Sequence, residues 1–239
     1  MSDPSLPTVA AVAGAPAVHC LGDSALVLEF GTTIDPVISA RVLSVWHALA
    51  AAPLPGVLDC APAYGTITVF YDPCTWDPGA LAEQLLSMAA LAAPAAVTAR
   101  RVEIPVCYAP EFAPDMDLVC AHTNLAAEDI VRRHSMAEYR VYFIGFTPGF
   151  PYLGGLDPAL ATPRRATPRV AVPAGSVAIG GVQTGVYPQA APGGWQIIGR
   201  TPLALFDARR EPACLLAAGD TVRFVPIDRA RYAEQAVQS

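Results

Sequence analysis

The chain of 239 residues carries 21 acidic and 15 basic residues, which gives a formal net charge of −6 at pH 7. All 15 basic residues are arginine, and the lack of lysine excludes a P-loop lysine and a Schiff-base lysine. An acidic chain repels phosphate backbones, so no nucleic-acid partner is expected. No apolar run reaches the length of a membrane span, so no membrane association is expected. None of the six cysteines forms a C-x-x-C pair or stands at zinc spacing to histidine, so we expect no metal and a reducing, cytoplasmic setting.

The N-terminal part of the chain is predicted to be an α/β sandwich. Residues 1–16 are rich in proline and small residues and are expected to form a flexible tail. After the tail, a strand at Ala25–Phe30 precedes a helix that Asp35 caps, with Pro36 at its first position. Two more strands and a second helix are predicted at Val57–Ala61, at Thr66–Tyr71 and from Asp77-Pro78 onward. The order β-α-β-β-α is typical of a ferredoxin-like domain, which we assign to residues 17–97.

Residues 98–239 are predicted to form a β-barrel domain with two helices over the ends of the barrel, which makes the fold class α+β. The strand Val102–Tyr108 is assigned to this domain, and the helices are expected at Met116–His122 and Glu128–His134. From Tyr139 onward only β structure is expected. The strand candidates are Tyr139–Ile144, Val170–Val172, Ser176–Ile179, Trp195–Ile198, Ala204–Asp207 and Thr221–Pro226. Short strands with regular Gly and Pro punctuation indicate a closed barrel.

The segment Gly145–Pro202 predicts an anion-binding site. It holds 11 Gly, 9 Pro, four arginines and one acid in 58 residues, a local charge of +3 within an acidic chain. Its many aromatic residues distinguish it from a disordered Gly/Pro tract. A basic, glycine-lined patch suits a carboxylate, a carbamate or a phosphate. The alternative is that the four arginines pair with acids from elsewhere in the chain.

Several residues in or near this segment are candidates for binding or catalysis. His134 is the best titrating candidate, as an acid/base or as a hydrogen-bond donor to an oxyanion, although it also suits a helix-terminal cation. Arg169 and Arg200 stand beside predicted strands in rigid Pro/Gly contexts, which favours the binding of an anion. Thr147 lies between two aromatic residues, and Gly149 would let backbone N–H groups approach an anion.

The run Gln183-Thr184-Gly185-Val186-Tyr187 offers an amide, a hydroxyl and a phenol within five residues. On a strand, residues 183, 185 and 187 share one face. These groups could recognise a small amide or lactam ring, or they could form a hydrogen-bonded turn that closes the barrel. No nucleophile elbow and no Cys/His pair accompanies them, so the chain alone does not look like a complete hydrolase.

Long motifs in fixed order carry a resemblance to a known family. They are Gly145-Phe-Thr-Pro-Gly-Phe-Pro-Tyr-Leu, Val172-Pro-Ala-Gly-Ser-Val, Gln183-Thr-Gly-Val-Tyr-Pro, Pro192-Gly-Gly-Trp and Gly219-Asp-Thr-Val-Arg-Phe. Over residues 18–228 the chain resembles the family of the 5-oxoprolinase B subunit and allophanate hydrolase subunit 1. That family also includes the sporulation histidine-kinase inhibitor. The resemblance implies a ferredoxin-like domain followed by a cyclophilin-like barrel.

The resemblance also implies a function in a complex. It implies that 5-oxo-L-proline, a lactam, is opened to L-glutamate with ATP by the chain together with two partners, the A-type subunit and the C-type barrel subunit of 5-oxoprolinase. On this view ATP is used by the complex, and Arg169 or Arg200 holds the substrate carboxylate. His134, Gln183 and Tyr187 are the implied catalytic residues, and Thr184, Thr147 and Gly149 complete the binding set.

Other functions remain open at this point. The chain could inhibit a histidine kinase by protein–protein binding, or serve as a subunit in urea or allophanate metabolism. Prolyl isomerisation is a weaker alternative, because a shared fold does not carry function.

Overall fold

The structure of the protein is a computed structural model that describes residues 16–91 and 100–237. The chain forms two compact units, one on each side of the segment 92–99. The predicted tail, apart from Pro16, and the predicted domain boundary between residues 97 and 98 lie outside the described residues, so both stay predictions. Within the described ranges, no helix is both long enough and apolar enough to cross a bilayer.

The N-terminal unit is a four-stranded antiparallel sheet with two helices. Its elements are β1 (Ala17–Cys20), β2 (Ala25–Glu29), α1 (Pro36–Ala51), β3 (Val57–Pro62), β4 (Thr66–Tyr71) and α2 (Pro78–Leu91). The strand order is β1-β2-β4-β3. The predicted β-α-β-β-α series is therefore confirmed. The edge beside β2 is filled by β1, a strand that was not predicted from the sequence.

Local signals fix the helices of this unit. The Asp35 carboxylate accepts hydrogen bonds from the backbone N–H groups of Val37 at 2.7 Å and Ile38 at 3.0 Å, so it is the predicted N-cap of α1. Asp77 does the same for α2 by accepting from the N–H of Ala80 at 3.0 Å. Apolar residues of both helices pack on the sheet in one core. They are Val42, Val45, Leu49, Leu81 and Leu85, against Leu26, Leu28, Ile67 and Val69.

The C-terminal unit is a closed barrel of seven strands in the order β10-β7-β6-β13-β5-β12-β9. Its strands are β5 (Arg101–Cys107), β6 (Tyr139–Ile144), β7 (Pro151–Gly154), β9 (Ser176–Gly180), β10 (Gln183–Val186), β12 (Gln196–Arg200) and β13 (Thr221–Ile227). β5 and β13 run parallel, and the other neighbours are antiparallel. A separate two-stranded sheet joins β8 (Arg169–Val172) to β11 (Ala191–Gly193). The predicted α+β class with a closed C-terminal barrel is confirmed, and β5 belongs to the barrel as predicted.

Two helices pack against the barrel core. They are α3 (Met116–Thr123) and α4 (Ala127–Met136), each slightly longer than predicted. Their residues Met116, Val119 and Ile130 are buried in the same cluster as the inward-facing residues of the strands. The start of α4 lacks a capping side chain, because Ala126 stands at the N-cap.

The expectation of only β structure after Tyr139 is wrong in three places. A 3₁₀ turn forms at Pro158–Leu160, and the chain ends in a helix, α5 (Arg229–Ala236), which Asp228 caps. The predicted strand Ala204–Asp207 is also absent, apart from one bridge between Phe206 and Cys214.

Hydrogen bonds from a nearby arginine and from the backbone hold the segment of the absent strand in an irregular loop. The Arg210 guanidinium donates hydrogen bonds to the carbonyl oxygens of Ala204, Leu205 and Ala213 at 3.0 to 3.3 Å. The carbonyls of Leu205 and Ala213 also accept hydrogen bonds from the backbone N–H groups of Leu215 and Asp207, at 2.8 and 2.9 Å. The arginine therefore adds to two backbone hydrogen bonds and is the hydrogen-bond donor to the Ala204 carbonyl.

The capping role of Asp35 gives a stability prediction. The change Asp35→Ala leaves the N–H groups of Val37 and Ile38 without this acceptor, and we expect the free energy of unfolding of the N-terminal unit to fall by about 1 kcal/mol. Urea unfolding followed by circular dichroism measures this. Glu83→Ala, which removes an exposed carboxylate from α2, is the control and should change stability by less than about 0.5 kcal/mol. Equal stability of D35A and the parent chain would contradict the assignment.

Candidate active-site cleft

An aromatic cleft of about 280 Å³ lies against the outer face of the barrel at β7 and β10. Five of the eleven residues that line it are aromatic: Phe146, Phe150, Tyr152, Tyr187 and Trp195. Arg164 and Arg165 line it as well, with Pro168, Pro192, Gly193 and Gly194. A concave, mostly apolar site with a few charged groups is the usual form of a small-molecule site.

Phe150 is the centre of the aromatic wall. Its ring meets those of Tyr152, Tyr187 and Trp195 edge to face, with centroids 5.2, 5.3 and 5.7 Å apart. Gly185 of β10 makes this packing possible, because a Cβ there would lie 3.1 Å from the Phe150 ring and 3.2 Å from the Trp195 ring. The wall is therefore rigid before any ligand arrives.

The Gly-Phe-Thr-Pro-Gly-Phe loop, residues 145–150, places Phe146 and Phe150 in the lining of the cleft. The backbone N–H of Gly145 donates to the Phe150 carbonyl at 3.1 Å, and Phe146 takes a left-handed conformation with φ of 64°. Gly149 has φ of 82°, and a Cβ there would lie 2.8 Å from the Phe206 Cβ. The glycine is thus required by the turn and by close packing. Gly149 and Thr147 lie outside the cleft lining, so their predicted roles in binding stay predictions.

A buried carboxylate, that of Asp115, forms ion pairs with two of the arginines. It is 4% exposed, and its Oδ1 accepts from Arg165 Nη1 at 3.2 Å and from Arg169 Nη2 at 2.7 Å. Its Oδ2 accepts from the backbone N–H of Ile197 at 2.7 Å. The pairing alternative from the sequence therefore holds for Arg165 and Arg169. Asp115 was not among the predicted site residues, because a Pro-Asp before a helix looks like an ordinary cap.

Arg164 differs from these two arginines. Its guanidinium lies over the Trp195 ring, 5.6 Å from the centroid, and it forms no ion pair within the residues that the structure describes. Of the two arginines that line the cleft, Arg165 is paired with a carboxylate and Arg164 is not, within the described residues. Arg200 is held elsewhere, because its Nε donates to the Ala174 carbonyl at 2.8 Å, and it does not line the cleft.

Tyr187 and Gln183 lie on the face of β10 that strand alternation predicts for them. Tyr187 is 2% exposed, and burial raises the pKa of its phenol, so the hydroxyl stays protonated at neutral pH. Gln183 shares the strand parity of Gly185 and Tyr187. Its Nε2 is buried and has no hydrogen-bond partner among the described residues.

His134 lies inside the barrel and is fully buried. Its Nε2 is 2.9 Å from the Thr184 Oγ1, and that hydroxyl donates to the Ala178 carbonyl at 3.0 Å. Thr184 therefore accepts from Nε2–H, and Nδ1 accepts from the Tyr108 hydroxyl at 2.9 Å. Burial lowers the pKa of His134 to about 3, which keeps the imidazole neutral.

β10 thus divides the predicted site residues into two groups. Thr184 points inward with His134, whereas Gln183 and Tyr187 belong to the outer face, where Tyr187 lines the cleft and Gln183 does not. The structure brings Tyr187 together with Arg164 and the aromatic wall, and it does not bring His134 there. The catalytic and binding roles stay predictions. In residues 16–91 and 100–237, no three His, Cys, Asp or Glu side chains cluster as a metal site would require.

Comparison with known proteins defines the class of protein first. Residues 16–216 match the carboxyltransferase domain, subdomain C and D. The chain is also 43% identical over 226 residues to the B subunit of 5-oxoprolinase from Bacillus subtilis (strain 168), covering 90% of this chain and 94% of that protein. It is 45% identical over 213 residues to the B subunit of 5-oxoprolinase from Escherichia coli O157:H7, covering 87% and 94%. The chain belongs to the family of 5-oxoprolinase B subunits, as the resemblance predicted.

Solved structures agree with the fold. TTHA0988 matches with a TM-score of 0.78 and 40% identity over 85% of this chain, which spans only 40% of that longer protein. PH0987 from Pyrococcus horikoshii matches with a TM-score of 0.55 and 41% identity, covering 90% of this chain and 99% of that one. Kluyveromyces lactis urea carboxylase shares the fold, with a TM-score of 0.75 over 96% of this chain and 23% of its own, at 19% identity.

The buried imidazole predicts a pH dependence of stability. Its pKa is about 3 when folded and near 6.5 when unfolded, so the unfolded chain binds the extra proton between these values. Stability is therefore present above pH 6.5 and is lost as the pH falls toward 3, by about 2 kcal/mol between pH 7 and pH 5. Urea unfolding at the two pH values measures it.

Two variants isolate the contribution of this histidine. His134→Gln should remove most of the pH-dependent loss, whereas His122→Gln, which changes an exposed histidine, should retain it. A H134Q variant with the same loss as the parent chain would show that the loss arises elsewhere.

Proposed function

We propose that the chain is the B subunit of a 5-oxoprolinase. Together with partner subunits of the A and C types, it opens 5-oxo-L-proline to L-glutamate with consumption of ATP and water. The observation that carries the proposal is the aromatic cleft with Arg164 at its edge, in a chain of the 5-oxoprolinase B-subunit family. Both relatives above are named as 5-oxoprolinase subunits, which favours this function over the kinase-inhibitor and urea-pathway alternatives.

The cleft suits a small ring that carries a carboxylate. The faces and edges of Phe150, Tyr152 and Trp195 offer an apolar wall for a five-membered lactam. Arg164 is free to form a charge-assisted hydrogen bond with the carboxylate, since no acid within the described residues pairs with it. The stacked indole limits the motion of the guanidinium, which lowers the entropy cost of binding.

Tyr187 is the residue of the predicted catalytic set that the cleft contains. Its raised pKa keeps the phenol protonated, so it can donate a hydrogen bond to a lactam oxygen and polarise the carbonyl. Gln183 lies on the same strand face but does not line the cleft, so its catalytic role stays a prediction from the sequence. His134 and Thr184 act from the inner face, where their hydrogen bonds hold β10 in place.

The cleft lacks the groups that a hydrolase needs. Its lining contains no carboxylate and no imidazole, so no general base faces it from the described residues. An unstrained amide is also a poor electrophile without activation, and the chain has neither a lysine nor a P-loop. Both gaps support a site that partner subunits complete, with ATP used by the complex.

Reconstitution tests the proposal directly. We expect the isolated chain to show no ATP hydrolysis that depends on 5-oxoproline, and its mixture with the A-type and C-type subunits to show it. The measurement is phosphate or glutamate release with and without each component. Full activity of the isolated chain, or an A-type and C-type pair that is equally active without this chain, would exclude the proposed role.

The arginine at the cleft gives a second prediction. Arg164→Gln removes a charge-assisted hydrogen bond to the substrate carboxylate, so the KM for 5-oxoproline should rise by about tenfold to a hundredfold. The kcat should change little, because a carboxylate contact is made equally in the ground state and the transition state. Arg132→Gln, which changes an exposed arginine on α4 paired with Asp129, is the matched control. An unchanged KM in R164Q would remove Arg164 from the binding site.

A further inference from the structure

A second pocket lies on the other side of the two cleft arginines. This polar pocket, of about 460 Å³, is lined by Arg164 and Arg165, by His122 of α3, by Thr162 and by Gln196 of β12, among others. Its lining contains no Asp or Glu. Arg164 and Arg165 line both the polar pocket and the aromatic cleft, so the two sites share a wall of positive charge. The proposed function does not use the polar pocket.

Gln196 provides an independent sign of a ligand there. Its side chain is 3% exposed, and its Nε2 donates to the Pro163 carbonyl at 2.8 Å. That bond fixes the orientation of the amide, because the opposite orientation would place Oε1 against a carbonyl oxygen. The Oε1 atom is buried and has no hydrogen-bond partner among the described residues. A buried acceptor without a partner is costly, and a ligand that donates a hydrogen bond would remove the cost.

The polar pocket is built before a ligand binds. Thr162 and Gly181 exchange two backbone hydrogen bonds, at 2.8 and 3.1 Å, and the N–H of Arg165 donates to the Gly194 carbonyl at 2.7 Å. Asp115 holds Arg165 from behind, and the Nε of Arg165 is buried without a partner among the described residues. The loop that presents both arginines is therefore fixed at several points, which lowers the entropy cost of binding.

These groups together select the chemistry of the ligand. The Arg164 guanidinium has no ion pair among the described residues and favours an oxyanion. Arg165 adds a second guanidinium that is already paired with Asp115, and the Gln196 oxygen requires a donor on the same ligand. A phosphate that retains one proton supplies both, with anionic oxygens for the arginines and a P–OH for the glutamine. Sulfate at neutral pH has no proton to donate. We propose that the polar pocket binds a protonated phosphate group, the chemistry that inorganic phosphate shares with the terminal group of a nucleotide.

The role of this site in the reaction rests on the proposed function, whereas the binding itself rests on the geometry. A reaction that couples ATP to lactam opening releases phosphate and must handle it close to the lactam. A phosphate in the polar pocket would share Arg164 and Arg165 with the carboxylate in the aromatic cleft. The two arginines would then hold the two anionic parts of the reaction side by side.

Binding of inorganic phosphate to the isolated full-length chain tests the inference. Equilibrium dialysis with labelled phosphate at pH 7 and constant ionic strength should show saturable binding, with sulfate about tenfold weaker as a competitor. Equal competition by sulfate, or no saturable binding of phosphate, would overturn the proposal. Competition by ATP and ADP distinguishes free phosphate from the terminal phosphate of a nucleotide as the natural ligand. If the pocket is a nucleotide site, ATP or ADP should displace labelled phosphate at lower concentrations than unlabelled phosphate does.

Substitutions locate the bound phosphate. Gln196→Leu should weaken phosphate about tenfold and leave sulfate unchanged, and Gln189→Leu, which changes an exposed glutamine, should alter neither. Arg164→Gln, at an exposed position with little risk to folding, should weaken both anions. Unchanged phosphate binding in a folded Q196L variant, with circular dichroism as the check, or in R164Q, would overturn the assignment to this pocket.

A last arm separates this inference from the proposed function. 5-Oxoproline also combines a carboxylate with an N–H, and it should leave bound phosphate in place if the lactam occupies the aromatic cleft. Complete displacement of phosphate by 5-oxoproline would assign the polar pocket to the lactam and overturn the inference. The dialysis needs neither ATP nor partner subunits, so its failure would leave the reconstitution result, and with it the proposed function, untouched.

Discussion

The buried carboxylate of Asp115 is the interaction on which the functional face of the barrel depends. It joins the start of α3, the backbone of β12 at Ile197 and the arginines at positions 165 and 169. A buried carboxylate is tolerated only with compensating donors, and here they are two arginines four residues apart and one backbone N–H of β12. The same contacts that satisfy Asp115 also place Arg165 between the aromatic cleft and the polar pocket. The same hydrogen bonds to the Asp115 carboxylate therefore stabilise the fold and position the side chains of the candidate site.

β10 adds a second constraint, because alternate residues of a strand face opposite sides. Thr184 faces the barrel interior, where Tyr108, His134 and the Ala178 carbonyl form one chain of hydrogen bonds. Tyr187, three positions further along, reaches the outer face. The interior chain is fully satisfied and uncharged, so it can fix the position of β10 without a proton exchange with the cleft. A histidine next to an active-site strand thus acts as support when its environment keeps it neutral.

Local signals allowed much of the fold to be predicted from the sequence. Asp35 followed by Pro36, and the spacing of Leu81 and Leu85, need only neighbouring residues to define a helix and its buried face. The predictions failed where side-chain contacts or strand neighbours decide the structure. Arg210 donates to the carbonyls of an irregular loop where a strand at 204–207 was predicted, and β1 has a mostly exposed sequence that only its place beside β2 makes a strand. For the candidate site, the basic segment and the strand face on which Tyr187 lies were predictable from the sequence. Which arginine is left without an acidic partner, Arg164 instead of Arg169, was not predictable, since Asp115 lies about fifty residues away from both.

The distribution of charge at the cleft agrees with the proposal that partner subunits complete the site. Arg164 keeps its charge uncompensated within the described residues, and its guanidinium lies over the Trp195 ring of the aromatic wall. These features suit the binding of an anionic ring, as proposed above, but they offer no group that activates an amide or removes a proton. Arg164 lies unpaired among the described residues near Phe146, which is 60% exposed. Burial of such a surface against a partner would be stabilising. Closure by a partner would strengthen the arginine–carboxylate contact through desolvation and bring the missing base in the same step. On the proposed function, binding and catalysis are divided between chains.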